Sequence, residues 1–158
     1  MEGKAVRESA SEYLELALPN DANGLGNVLG GKVMHLVDLA AAMAGMRHAR
    51  HTIVTASVDS LHFLHPVHLG ELIILRSSVN RVFRSSMEIG VKVMTEKLLT
   101  GERLHTCSAY LTFVAVDQEG RAIAVAPVIP ETEDEIRRYR QAGERREYRL
   151  AMRNRLKA

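Results

Sequence analysis

Asp38 stands in the run VMHLVDLAAAMAG, residues 33–45, with apolar neighbours on both sides. An ionised carboxylate is seldom buried without a partner or a task. In a dry site with a raised pKa it can serve as a general base. Lys32, His35 and Asp38 recur at three-residue steps, so they can share one narrow polar stripe. A stripe facing water, or an Asp38 bonded to a nearby backbone amide, is the plainer alternative. Upstream, the loop NDANGLGNVLGG at residues 20–31 carries four glycines and three asparagines. Gly30 and Gly31 permit close backbone approach at a helix start, where free amides hold an oxyanion or polarise a carbonyl. A turn that needs positive φ explains the same pair. Asn23 can close an Asx turn beside Gly24, or hold a water or a carbonyl at a reacting centre.

Other reactive residue types give weaker patterns. Arg84, Ser85 and Ser86 stand between two predicted strands, either as a solvated turn or as an anion cradle. His62, His65 and His68 are three residues apart around Pro66. On a strand that spacing alternates faces, so no shared metal site is expected. His35 reads as a residue at the solvent edge. Cys107 is the single cysteine, which excludes an internal disulfide and fits a buried inert thiol in a reducing compartment. No serine sits in a nucleophile elbow, and Gly24-x-Gly26 falls short of a dinucleotide fingerprint.

The elements that must position these residues follow from pattern. Residues 11–18 alternate loosely and end at Pro19, a first strand. Residues 32–48 are rich in Leu, Met and Ala and predict a helix, weakened only at Gly45. Being apolar on all sides, it is expected to be buried. Residues 52–64, 71–81, 86–98 and 104–116 read as strands, with Met87, Ile89, Val91 and Val93 on one face. Hairpin-length connections predict an antiparallel meander. One helix with one sheet implies an α+β fold in which the sheet curls around the helix, the hotdog architecture. The strand at 52–64 is long and nearly uncharged, an edge that a second copy of the chain can cover. Thr132 and Glu135 have capping-box spacing, so residues 132–156 form a last helix. Its apolar stripe is thin, which predicts light docking and a body that folds without it.

Composition narrows the classes. The chain has 158 residues, 46% hydrophobic and 25% charged, which suits one core and excludes disorder. Residues 1–130 hold 12 basic and 13 acidic side chains, and residues 131–158 hold 9 and 6. The division is therefore a neutral domain at 1–130 and a charged helical extension at 131–158. A net tail charge of +3 is too modest to argue for nucleic acid. No apolar stretch reaches the ~18 residues of a membrane span. A cytoplasmic protein with no nucleic-acid or membrane partner is expected.

The run LPNDANGLGNVLGGKVMHLVDLAAAMAGMRH resembles the hotdog-fold acyl-CoA thioesterases, in the branch of bacterial broad-range and brain acyl-CoA hydrolases. TIVTASVDSLHFLHPVHLGE, SVNRVFRSSMEIGVKV and TFVAVDQEG follow in the order usual there. The resemblance spans about residues 13–130 and implies hydrolysis of fatty acyl-CoA to free acid and CoA. It implies a dimer of hotdogs, often joined into a hexamer. It also implies no cofactor, since CoA belongs to substrate and product. The family's catalytic aspartate and asparagine fall on Asp38 and Asn23. The hairpin with Arg84, Ser85 and Ser86 resembles one that meets the CoA nucleotide, with Phe83 where glycine is usual.

The expected mechanism has Asp38 activate water, Asn23 orient water or carbonyl, and amides near Gly30 and Gly31 hold the oxyanion. Direct attack by Asp38 through an anhydride is the alternative. A helix rise places Asp38 about 10 Å from Gly31, too far for one carbonyl to touch both. The site is therefore expected to join Asn23 of one copy to Asp38 of another. Two rival functions are a hydroxyacyl-thioester dehydratase and a non-catalytic acyl-CoA sensor.

Overall fold

The computed structural model describes residues 1–157. A short parallel pair, β1 (Lys4–Ala5) and β7 (Val128–Ile129), closes one margin. The main sheet contains β2 (Ser11–Leu16), β3 (Thr52–Val58), β4 (Leu72–Phe83), β5 (Ser86–Glu96) and β6 (Arg103–Val116). All neighbours are antiparallel, in the order β2-β4-β5-β6-β3. This sheet curls around α1 (Gly30–Ala49), the expected hotdog arrangement.

The inner faces follow the two periodicities. Met87, Ile89, Val91 and Val93 are all buried, as their alternation predicts. From α1 they meet Val33, Leu36, Val37, Ala40, Ala41 and Ala44, one stripe of a 3.6-residue period. Gly45 is a point of close approach rather than a weakness. A Cβ there would lie 2.7 Å from Ile53 Cδ1 and 2.8 Å from Ile89 Cδ1. The expectation that α1 is enclosed on every side is corrected. Met34 is 48% exposed and Met46 45%, with Leu39 also on the open side. Five strands cover only one face of the helix.

The meander is corrected too. β3 ends at Val58, not at residue 64, and it pairs with β6 rather than with β4. α1 carries the chain from β2 at one edge of the sheet to β3 at the other. Residues 59–71 must then return to β4 beside β2, a longer span than a hairpin. On the way they bind the glycine-rich loop: Val28 N–H donates to the Val67 carbonyl at 2.7 Å, and Asn27 bridges His68. β3 is left as an edge strand, as its composition suggests, with Val54 and Val58 exposed.

α2 (Glu133–Lys157) starts with the expected capping box. Thr132 Oγ1 accepts from Glu135 N–H at 3.1 Å, and the Glu135 carboxylate accepts from Thr132 N–H at 3.3 Å. The helix crosses the outer face of the sheet. Glu88 points outward between Met87 and Ile89, yet it is 0% exposed because α2 covers it. Arg145 donates to both of its oxygens, at 2.7 and 3.0 Å, and Asn80 Nδ2 adds a bond at 2.9 Å. Burial alone would pull the Arg145 guanidinium down, but the Glu88 carboxylate outweighs it and the pKa is raised. The Arg145 guanidinium lies 3.6 Å from the Tyr110 ring centroid. A Cβ on Gly143 would meet Arg81 Nη1 at 2.6 Å, so the long Arg81 side chain would have to shift to admit one.

Light docking is therefore corrected. Few apolar side chains hold α2, but a buried ion pair does. Arg145→Met keeps the helix and strands the Glu88 charge, which should cost about 3 kcal/mol in denaturant unfolding. Adding Glu88→Gln should return most of that loss, because the uncompensated charge is gone. Equal stability of Arg145→Met and wild type would show that the pair contributes nothing.

Candidate active site

Asp38 projects from the open side of α1 toward the edge strand β3. Its Oδ1 accepts from Thr55 Oγ1 at 2.9 Å. Thr55 is the last regular residue before a register shift in the β3–β6 pairing, a bulge that re-aims the edge. Asp38 is half-buried, so one chain alone does not supply the dry pocket its apolar neighbours suggest. Lys32 turns away to Glu15 and Asp21, at 3.4 and 3.7 Å, and His35 is exposed. The polar stripe thus lies on the uncovered helix face, with Thr55 as the partner that holds its carboxylate.

Asn23 does what its local sequence favours. Its Oδ1 accepts from the N–H groups of Leu25 and Asn27, at 2.8 and 3.2 Å, closing an Asx-type turn. That fixes the amide orientation and turns the Nδ2 end outward as a donor. Gly30 and Gly31 open α1, and neither has positive φ, so the strained-turn explanation is removed. A Cβ on Gly31 would meet nothing within 4 Å, and one on Gly30 would touch only the Phe63 ring at 3.6 Å. Leu29 precedes them without a side-chain cap, and the first turn carries no acid. The helix start therefore presents bare N–H groups with the positive end of its dipole.

Arg84 and Ser85 form the two-residue connection between β4 and β5, with Phe83 opposite Ser86. Arg84 has φ 74°, where this kind of turn favours glycine. Ser86 Oγ lies 3.4 Å from Arg146 Nη1, a contact from α2 that local pattern could not reveal. The His68 ring contacts Asn27 Oδ1 at 2.8 Å, while His62 and His65 are exposed. Among the described residues no three His, Cys, Asp or Glu side chains gather as a metal site. Cys107 is buried in β6 and its thiol is pushed up to about 11 by burial, which makes it unreactive.

The structure does not bring all the candidate residues together within one chain. α1 is unbroken, so Asp38 remains about 10 Å along its axis from Gly31. A groove of about 700 Å³ lies instead on the outer sheet face beside Arg76, Lys92, His105 and Arg138. It contains none of Asn23, Gly30, Gly31 and Asp38. Asp38 and Thr55 lie on an open face at α1 and β3 rather than in a closed cavity.

Comparison with known proteins decides the family. A family model described as the thioesterase superfamily matches residues 25–102. The uncharacterized acyl-CoA thioester hydrolase YkhA of Bacillus subtilis is 40% identical over 144 residues, 91% of this chain and 84% of its own length. The chain belongs to the thioesterase superfamily. Among solved thioesterase structures, an apo-hexameric acyl-CoA thioesterase superposes with a TM-score of 0.93 at 40% identity, covering 96% of this chain and 97% of its own. An acyl-CoA hydrolase from Staphylococcus aureus, in complex with butyryl coenzyme A, coenzyme A and coenzyme A disulfide, superposes at 0.91 with 34% identity. There the overlap is 98% of this chain and 94% of that one. The same S. aureus hydrolase has been solved with alanine in place of one aspartate, one asparagine and one threonine. The segment matched to the thioesterase superfamily includes Gly30, Gly31, Asp38, Thr55 and the hairpin, and it stops before α2.

The left-handed backbone at Arg84 gives a measurable expectation. Arg84→Gly relieves that strain and should raise stability by roughly 0.5–1 kcal/mol in a denaturant melt. A loss of stability would mean that the guanidinium makes a contact outweighing the strain.

Proposed function

We propose that this thioesterase-family chain hydrolyses acyl-CoA to a free acid and CoA, with Asp38 as the general base. The observation that carries the reading is the Thr55–Asp38 hydrogen bond on the open face of α1. It fixes one carboxylate oxygen and leaves the other for a water molecule. Three replaced residues of the S. aureus hydrolase, an asparagine, an aspartate and a threonine, are spaced 15 and 17 positions apart. Asn23, Asp38 and Thr55 have the same spacing.

The reaction starts when Asp38 takes a proton from water and the hydroxide attacks the thioester carbonyl. The developing oxyanion accepts hydrogen bonds from N–H groups at Gly30 and Gly31, and the helix dipole favours its charge. Asn23, its oxygen committed to its own loop, donates from Nδ2 to the carbonyl or the water. Collapse of the intermediate expels CoA thiolate. A thiol pKa of ~8.5 makes it a good leaving group, so no strong general acid is needed. Water is the only co-reactant, and the reading assigns no cofactor or metal.

Because Asp38 and its own helix start are separated along α1, each site takes the loop of one subunit and the helix of its partner. Covering the exposed Met34, Leu39, Val54 and Val58 would also remove the open β3 edge. Assembly of such dimers into a hexamer, as in the apo-hexameric thioesterase, belongs to the same proposal. Arg84, Ser85 and Ser86 are assigned to the CoA end of the substrate. No described helix is long and apolar enough to cross a membrane. The lone buried thiol suits a cytoplasmic setting.

A thiol-release assay across acyl-CoA chain lengths tests the activity. Asp38→Asn keeps the shape and removes the base, so turnover should fall by at least ~100-fold while acyl-CoA still binds. Near wild-type turnover in the folded variant would sink the mechanism. Subunit mixing tests the shared site. Asn23→Ala and Asp38→Ala, each nearly inactive, are unfolded and refolded together in equal amounts. Random pairing gives mixed dimers with one intact site each, and activity should return to about a quarter of wild type. No recovery, with mixed dimers demonstrated, places both residues in the same chain.

A further inference from the structure

Where α2 passes the β4–β5 hairpin, guanidinium groups accumulate without acids to balance them. Arg81 and Arg146 both lie against Phe83, their Cζ atoms 5.2 and 4.6 Å from its ring centroid. Arg146 also reaches Ser86 Oγ at 3.4 Å. Of the neighbouring cations, Arg149 is paired with Asp59 at 3.3 Å. Among the described residues no carboxylate lies within ion-pairing distance of Arg81, Arg84, Arg146 or Arg153. Burial, and then Arg149, Arg153 and Arg81, pull the Arg146 guanidinium below its usual pKa. Like charges held together on rigid elements are stabilised by an anion between them, and two hydroxyls beside them complete the donors that a phosphate accepts from.

The position suits one particular anion. Ser86 pairs with Val114 on β6, and Val114 pairs with Val54 on β3. Two strand spacings put Ser86 about 10 Å from Val54, the neighbour of the Thr55 that binds Asp38. A CoA thioester carries its phosphates on a flexible pantetheine arm long enough to span that separation around the sheet edge. We infer that Arg146 of α2 is a specificity-determining contact for the phosphorylated nucleotide half of CoA, and that Phe83 is the residue that positions it. The inference rests on the acyl-CoA reading above. It makes α2, which lies outside the segment matched to the superfamily, part of the substrate site.

The test compares ligands that differ only in the nucleotide. Calorimetric titration of the intact protein uses CoA, 3′-dephospho-CoA and pantetheine, alongside thiol release from the acetyl thioesters of CoA and pantetheine. Arg146→Gln should weaken CoA binding about tenfold, one charge-assisted contact, and lower the kcat/KM ratio of acetyl-CoA to acetyl-pantetheine by a similar factor. Arg146→Lys should restore part of both. Phe83→Leu, which keeps the cation but removes its platform, should lower the same ratio, and should add nothing when Arg146→Gln is already present. A loss with CoA that vanishes with 3′-dephospho-CoA assigns the 3′-phosphate, and one that persists assigns the diphosphate. Unchanged CoA affinity in Arg146→Gln and Phe83→Leu overturns the inference, as does an equal loss for CoA and pantetheine. If the wild type releases no thiol from acyl-CoA, the thioesterase reading fails by itself, and the CoA titrations still judge Arg146.

Discussion

A twenty-residue helix laid in a five-stranded sheet can be buried on one side only. That constraint organises the rest of the molecule. The buried stripe of α1 is small, Val and Ala above all, so the sheet can close on it to the point where Gly45 has no room for a Cβ. The other stripe carries Met34, Asp38, Leu39 and Met46 and faces outward beside the unpaired edge of β3. Apolar surface, an open strand edge and a carboxylate held by Thr55 coincide there because all three belong to the part of the core that one chain cannot cover. In the proposed dimer, a second copy covering this face would desolvate Asp38 and bring a second helix start into reach.

The outer face of the sheet solves a different problem. Alternation along β5 sends Glu88 away from the core, and in an isolated sheet it would stand in water. α2 covers it instead, and the charge is retained because Arg145 and Asn80 satisfy both carboxylate oxygens. Burial raises the pKa of nearby Asp59, opposed by Arg149. Ion pairs and cation–π contacts hold the helix where a wide apolar stripe would usually do so. The same arrangement leaves Arg81, Arg146 and Arg153 near the hairpin with more positive charge than the sheet beneath them can neutralise.

Local rules made much of this legible. The alternation of Met87, Ile89, Val91 and Val93, the Thr132–Glu135 capping box and the Asx turn at Asn23 each involve residues within a few positions of one another. Their outcome hardly depends on the rest of the chain. The singular position of Asp38 among apolar neighbours was also readable, as was the resemblance carried by residues 18–48. Strand order was not. It depends on α1 carrying the chain across the sheet, which makes β3 pair with β6 and forces residues 59–71 to return the long way. Whether α1 is buried all round was undecidable from its composition, because apolar residues on an open helix face look in sequence like apolar residues facing a core. Thr55 and Arg146 gave no local signal. Their partners Asp38 and Ser86 lie 17 and 60 positions away, and a hydrogen bond of that kind exists only after the fold has closed the distance.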